Sequence, residues 1–246
     1  MKKLLFIINP MAGRQQAQTD LYKMVKIFAD HDYEVTVYPT RARLDCTRKV
    51  LEDAGRFDLV VCCGGDGTLN EMVSGMMQRQ DRRPMGYIPL GSTNDLAVSL
   101  RLPTRVEEAA LRAVTGNEFH MDVGTLNDRY FNYIAAFGAF TETSYATPQE
   151  IKNALGHLAY ILEGVKSLGK ILPIHVKITA DDEQFEEDYL FGAVTNTISL
   201  GGVLKLDPEK VLLDDGMYEL LLVKNPTNAL EAQAMLTALM LSLIHI

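Results

Sequence analysis

Apolar and polar positions along the first half of this chain switch repeatedly between two periods. Leu4-Leu5-Phe6-Ile7-Ile8 is an unbroken apolar run that stops at Asn9-Pro10, too short for the hydrophobic part of a signal peptide, and it predicts a buried strand. Over residues 15–30 the residues Leu21, Met24, Val25 and Phe28 recur at helical spacing, with Ile27 beside them. Residues 33–38 alternate as a strand does and end at Pro39-Thr40, and a helix is predicted over about residues 44–54. Leu59-Val60-Val61-Cys62-Cys63 is again continuous, and Gly64-Gly65-Asp66-Gly67 follows at once. A helix would not tolerate those glycines, so a strand and then a sharp turn are expected. Thr68 and Glu71 stand three apart ahead of Met72, Val73, Met76 and Met77, the spacing of a capping box opening a helix. A short strand over residues 85–89 then leads into Leu90-Gly91-Ser92-Thr93-Asn94-Asp95, and Thr104 with Glu107 opens a further helix to about Thr115.

Strands alternating with helices at this spacing predict an α/β fold with a doubly wound parallel sheet. Ligands of such sheets bind beyond the carboxyl ends of the strands. Thr40, the loop 64–68 and the loop 91–95 all fall at such ends, so three loops share one rim. From residue 119 the pattern changes to strand-like runs at 119–124, 130–136, 174–180, 189–196 and 217–223, interrupted by one helix at about 148–168. The expected organisation is an α/β domain over residues 1–122 and a β-rich second domain over residues 123–246.

Composition narrows the function. A net charge of −8 lacks the basic footprint that general nucleic-acid binding needs. Three cysteines, two of them adjacent in an apolar strand, suit buried thiols in a reducing compartment. The five histidines have no metal-ligand spacing, and no zinc is expected. No apolar stretch is long enough to cross a bilayer. The reading is a cytoplasmic protein that meets membrane only at its surface.

The loop 64–68 supplies the chemistry. Glycines at a strand-to-helix junction aim backbone N–H groups and the positive end of a helix at one spot, which suits a phosphate. A plain tight turn would need only one or two of them. Asp66 would repel a nucleotide unless a divalent cation lay between, which points to a Mg²⁺-nucleotide. There is no dinucleotide fingerprint, and residues 164–170 miss the Walker A loop because Ile171 replaces its Ser or Thr and a helix precedes them. Asp214-Asp215-Gly216, between two apolar runs, reads as a hairpin turn. Asn94 has two readings, a contact to nucleotide or substrate and a helix cap like Ser92. Lys152, Lys166 and Lys170, or Arg79, Arg82 and Arg83, are solvated faces or contacts to anionic head groups.

Asn9-Pro10 with Gly13, Gly64-Gly65-Asp66-Gly67-Thr68 with Asn70-Glu71, and Gly91-Ser92-Thr93-Asn94-Asp95, in this order and spacing, resemble the diacylglycerol kinase catalytic-domain family. That family includes soluble bacterial lipid kinases and the sphingosine kinases, and is more distantly related to NAD kinases. The likeness runs on through Thr147-Pro148, Lys152, Leu155-Gly156, Tyr160, Gly201-Gly202 and Asp214-Asp215-Gly216. It implies a two-domain kinase using ATP and Mg²⁺ to phosphorylate a lipid hydroxyl, with diacylglycerol as default substrate and phosphatidic acid, a phospholipid precursor, as product. Carried over by position, Asn9, Thr40, Gly64, Gly65, Asp66, Gly67, Thr68, Asn70, Gly91, Thr93 and Asn94 would hold the nucleotide. Asp66 and Asp95 would be the essential acids. A structural Mg²⁺ would be held by Asp215 and by carbonyls near Leu212 and Met217, with Asp122 linked through water.

The implied partner is a lipid at the inner membrane surface, and a homodimer is left open. An NAD kinase and a non-catalytic nucleotide-binding protein stand as alternatives, the first disfavoured by the 91–95 motif and the Asp215 region. The resemblance also implies a longer chain whose further strands carry a general-base glutamate. Residues 241–246 match the translation of a common sequencing-transposon adapter, so the chain is expected to be cut short.

Overall fold

The structure is a computed structural model that describes residues 1–138, 172–201 and 204–240. The helix expected at 148–168, the near-phosphate loop at 164–170, the family-like residues from Thr147 to Tyr160, Gly202 and the segment 241–246 lie outside the described residues.

Four parallel strands form the first sheet: β1 (Lys2–Ile8), β2 (Tyr33–Pro39), β3 (Leu59–Gly64) and β4 (Met85–Pro89), in the order β2-β1-β3-β4. β1 and β3 are central strands and are apolar on both faces, as burial on two sides requires. On one face Leu4, Phe6, Val61 and Cys63 pack against α1 (Gln16–Thr19), α2 (Leu21–Asp30) and α6 (Val106–Thr115), with Phe28 edge-on to Phe6 at 5.2 Å. On the other, Leu5, Ile7, Val60 and Cys62 pack against α3 (Asp45–Asp53), α4 (Asp66–Met77) and α5 (Asp95–Ser99). Successive residues of a strand thus feed two separate cores, which is the doubly wound arrangement expected. All three cysteines are buried thiols, pushed up in pKa by that burial.

Helix starts differ from expectation. α4 begins at Asp66, with Gly65 in extended backbone as its N-cap (φ −93°, ψ −174°) and no side chain capping it. The capping box fails because its members are engaged elsewhere: Thr68 Oγ1 accepts Asn9 Nδ2 at 3.4 Å, and the Glu71 carboxylate accepts the N–H groups of Leu44, just before α3, and of Cys46 in its first turn. α6 likewise starts at Val106 without a side-chain cap, and Glu107 pairs with Lys23 at 3.1 Å. The helix expected over 15–30 is interrupted at Asp20, whose buried carboxylate accepts Gln16 Nε2 and Lys23 Nζ at 3.2 and 2.8 Å.

The second sheet is antiparallel. β7 (Ile134–Gly138) and the strand Glu219–Lys224 flank the end of β9 (Glu183–Thr195), and β8 (Ile174–Ala180) pairs with the beginning of β9 as a hairpin. β5 (Gly124–Leu126) and β6 (Arg129–Phe131) form a small ribbon. The strand expected at 119–124 is absent before Gly124, because Asp122 N–H donates to the Leu213 carbonyl (2.8 Å) and joins a loop, not a sheet. The strand expected at 130–136 is two strands, broken where the Tyr133 carbonyl accepts Asn196 N–H and the Thr195 hydroxyl.

Candidate active site

Four loops leave the carboxyl end of the parallel sheet, and each is tied to its neighbour one residue past the strand. Thr40 N–H donates to the Ile8 carbonyl at 2.9 Å, Asn9 N–H to Cys63 at 2.9 Å, and Leu90 N–H to Gly64 at 2.7 Å. The loops after β3 and β4 then touch backbone to backbone. A Cβ on Gly91 would stand 2.6 Å from Gly65 Cα, and one on Gly64 would overlap the Thr68 hydroxyl, so glycine is needed for the approach. Gly67 faces open space with nothing within 4 Å of a Cβ position.

Asn94 closes the second loop on itself. It is in the left-handed region (φ 52°), its Oδ1 accepts Gly91 N–H at 2.7 Å and the Tyr87 hydroxyl at 3.1 Å, and its Nδ2 donates to the Gly91 carbonyl at 2.9 Å. Of its two sequence readings the structure shows a loop-closing residue at the N-cap position of α5, bonded back to Gly91. Burial, followed by the neighbouring Asp66 charge, holds the Tyr87 phenol far above its usual pKa, so it remains a donor.

Asp66 is the first residue of α4. Its Oδ2 accepts the Thr93 hydroxyl at 3.1 Å, while Oδ1 is buried with no partner in hydrogen-bonding geometry. Burial, and then the charge of Asp95, raise its pKa; the Thr93 hydroxyl and the amides of Asp95 and Leu96 pull the other way. Asp95 is used differently. It is 2 % exposed, and its two oxygens accept Ser199 Oγ at 2.6 Å and Gly201 N–H at 2.9 Å. Beside it, Ser99 Oγ lies 2.6 Å from Thr197 Oγ1 and accepts Ile198 N–H at 3.0 Å. The helix at the rim of the parallel sheet is therefore fastened to the segment that follows β9.

A family model described as the diacylglycerol kinase catalytic domain matches residues 3–126, the segment holding all four rim loops. A diacylglycerol kinase of Bacillus subtilis is 37% identical over 226 residues, covering 91% of this chain and 74% of that protein. One from Staphylococcus saprophyticus is 32% identical over 224 residues, covering 91% and 73%. The chain belongs to the diacylglycerol kinase catalytic-domain family. A crystal structure of a Bacillus anthracis diacylglycerol kinase superposes with a TM-score of 0.76 at 28% identity, covering 96% of this chain and 77% of that one.

Within this lipid kinase framework the expected residues fall into two groups. Asn9, Gly64, Gly65, Asp66, Thr68, Gly91, Thr93 and Asn94 form one connected rim, Thr40 joins it through Ile8, and Asn70 sits half-buried a turn along α4. Asp122, Leu212, Asp215 and Met217 gather elsewhere. Asp122 Oδ2 accepts Gly216 N–H directly at 2.6 Å, Asp215 Oδ1 accepts Met217 N–H at 2.9 Å, and Asn196 Nδ2 bridges the carbonyls of Asp122 and Leu213. No group of three or more His, Cys, Asp or Glu among the described residues is arranged to hold a metal. Asp214-Asp215-Gly216 is a turn, yet not a hairpin, because residues 211–213 are not a strand; Val211 packs with Leu200 and Leu206 instead.

The arginine cluster also resolves. Arg79 donates to the Val50 and Leu51 carbonyls and Arg83 to Gly55 at 3.0 Å, which caps the end of α3; Arg82 alone of the three stays exposed. The partners the sequence reading missed are Glu71, Tyr87, Asn196 and Ser199. Of these only Glu71 carried a signal, its place directly after the glycine motif.

Proposed function

We propose that this chain transfers the γ-phosphoryl group of ATP to the hydroxyl of a membrane lipid, with Mg²⁺ as cofactor, diacylglycerol as substrate and phosphatidic acid as product. Asp66 carries the reading. A carboxylate with one unpartnered buried oxygen, set among N–H groups at a helix start, suits a divalent cation lying between it and nucleotide phosphates. The amides of Gly65, Asp66, Gly67 and Thr68 would bind phosphate oxygens, with Thr93 orienting Asp66 and Asn9 orienting Thr68. Mg²⁺, when bound, neutralises charge on the transferring group, and such transfer otherwise needs mainly positioning. Asp95 acts as the clasp between the two halves, which we divide near residue 122.

A second Mg²⁺ at the 212–217 turn would use the Asp215 carboxylate and main-chain carbonyls. No described helix is long and apolar enough to span a bilayer. The enzyme would take its lipid from the membrane surface on the cytoplasmic side. The test is a labelled-ATP assay against diacylglycerol, a sphingoid base, a monoacylglycerol and NAD. Label in phosphatidic acid is expected, and an absence of label in every lipid overturns the proposal.

A further inference from the structure

Two carboxylates shape the segment between β2 and α3. Asp45 folds back on it: Oδ2 accepts Arg41 N–H at 2.9 Å, and both oxygens lie 3.1 Å from the Tyr38 hydroxyl. The Arg48 guanidinium beside it, helped by these donors, holds its carboxyl well below the usual carboxylate range. Glu71 reaches in from α4. Its Oε1 accepts Leu44 N–H at 2.8 Å, its Oε2 accepts Cys46 N–H at 3.3 Å, and its carbonyl accepts the Thr47 hydroxyl at 2.9 Å.

Leu44 has a φ of +65°, a backbone state that a leucine adopts only where its surroundings impose it. The residue is 60% exposed, so packing does not impose it. The Glu71 carboxylate, bonded to Leu44 N–H and to the amide two residues on, does. Gly75, one turn further along α4, lets α3 come close enough for this reach: a Cβ there would stand 2.8 Å from the Thr47 carbonyl.

These bonds join two parts of the rim that no strand pairing connects. β2, which ends beside Thr40, is separated from β3 by β1, a lateral offset of about 10 Å for two strand spacings. On the nucleotide reading of the rim, a phosphate chain held at the start of α4 and running toward Thr40 would cross that offset and set its nucleoside against residues 40–44. We propose that Glu71 is a positioning residue for the nucleoside end of the nucleotide. It fixes the 40–46 segment, and Thr40 with it, relative to the phosphate-facing loop of its own helix. The inference rests on the nucleotide reading of the rim given above.

Calorimetric titration of the full chain, Glu71→Gln and Glu71→Ala with Mg²⁺-ATP and with Mg²⁺-tripolyphosphate separates the possibilities, since tripolyphosphate carries the phosphates without the nucleoside. The Kd for ATP is expected to rise about tenfold in Glu71→Ala, the equivalent of one hydrogen bond to a charged acceptor, and by less in Glu71→Gln, which keeps one acceptor oxygen. The tripolyphosphate Kd is expected to stay within about twofold, less than the weakest of such bonds, in both variants. Equal weakening of both ligands, or unchanged ATP binding, overturns the inference. Should Glu71→Ala fail to fold, the two ligands compared on Glu71→Gln decide the matter. Failure of the parent chain to bind Mg²⁺-ATP overturns the nucleotide reading itself, and this inference falls with it.

Discussion

Replacing Asp95 separates two roles open to a carboxylate at this rim, an acid used in the chemistry and a fastener between the two sheets. Its oxygens accept Ser199 Oγ and Gly201 N–H at 2.6 and 2.9 Å. Each is a hydrogen bond to a charged acceptor, so Asp95→Ala is expected to cost on the order of 3 kcal/mol for the two. In a chain of 246 residues that lowers Tm by about 6–12 °C. Asp95→Asn should behave differently. The carboxamide oxygen can take Gly201 N–H while its NH₂ donates to the Ser199 hydroxyl, which accepts as readily as it donates. Both contacts survive as neutral bonds of roughly half the strength, so the loss shrinks to about 1.5 kcal/mol.

Calorimetric melting of both variants, beside kcat in the labelled-ATP assay, tests this. As a fastener, Asp95→Asn keeps kcat within about tenfold of the parent, the scale of a 1.4 kcal/mol change. Removal of its charge also withdraws one of the influences that raise the Asp66 pKa, so the acid limb of the pH–rate profile moves to lower pH. An Asn variant that melts near the parent yet loses on the order of 10³-fold in kcat would refute the argument, because the charge itself would then be doing the chemistry.

Asp66→Asn should raise stability while removing activity. Burial, then the Asp95 charge, put the folded-state pKa of Asp66 above its ordinary value, so ionised Asp66 costs stability above the normal carboxylate range and nothing below it. Without Mg²⁺ and nucleotide the variant is therefore expected to melt higher than the parent at neutral pH. The gap closes as pH falls through the carboxylate range, and kcat drops on the order of 10²-fold or more; a variant that melts lower at neutral pH contradicts the assignment. Asp215→Ala should abolish the rise in Tm that millimolar Mg²⁺ gives the parent by mass action, and a parent whose melting ignores Mg²⁺ removes the metal reading of that turn.

The parallel half was legible because its two central strands are buried on both sides, which leaves runs such as Leu59 to Cys63 with no other use. The first half of β9 was not. Glu183-Gln184-Phe185-Glu186-Glu187-Asp188 is an exposed hairpin arm whose acidic side chains pair with Lys177, Lys224 and His175 on its neighbours, so it lacks the alternation that marks a half-buried strand. Local helix signals misled where side chains answer to distant backbone. Glu71 is three residues from Thr68 and still serves α3, and Arg79 and Arg83 look like a free basic cluster while capping carbonyls nearly thirty residues away, 28 in the case of Gly55. The rim itself was readable from glycine spacing, since close backbone approach restricts residue type at Gly65 and Gly91. The partners of Asp95 were not, because nothing near residue 199 announces a carboxylate.

The clasp also bears on how the molecule is built in time. Ser199 and Gly201 lie 104 and 106 positions beyond Asp95, so these two hydrogen bonds need the chain that follows β9 to be in place. Contacts of such long sequence separation form slowly, after the loop-closure entropy has been overcome. Until then the Asp95 carboxylate lacks these two donors, while the loops are already tied to one another within residues 8–94. Released at residue 126, the stretch that bears the family signature would carry every rim loop and still lack the two groups that fasten Asp95.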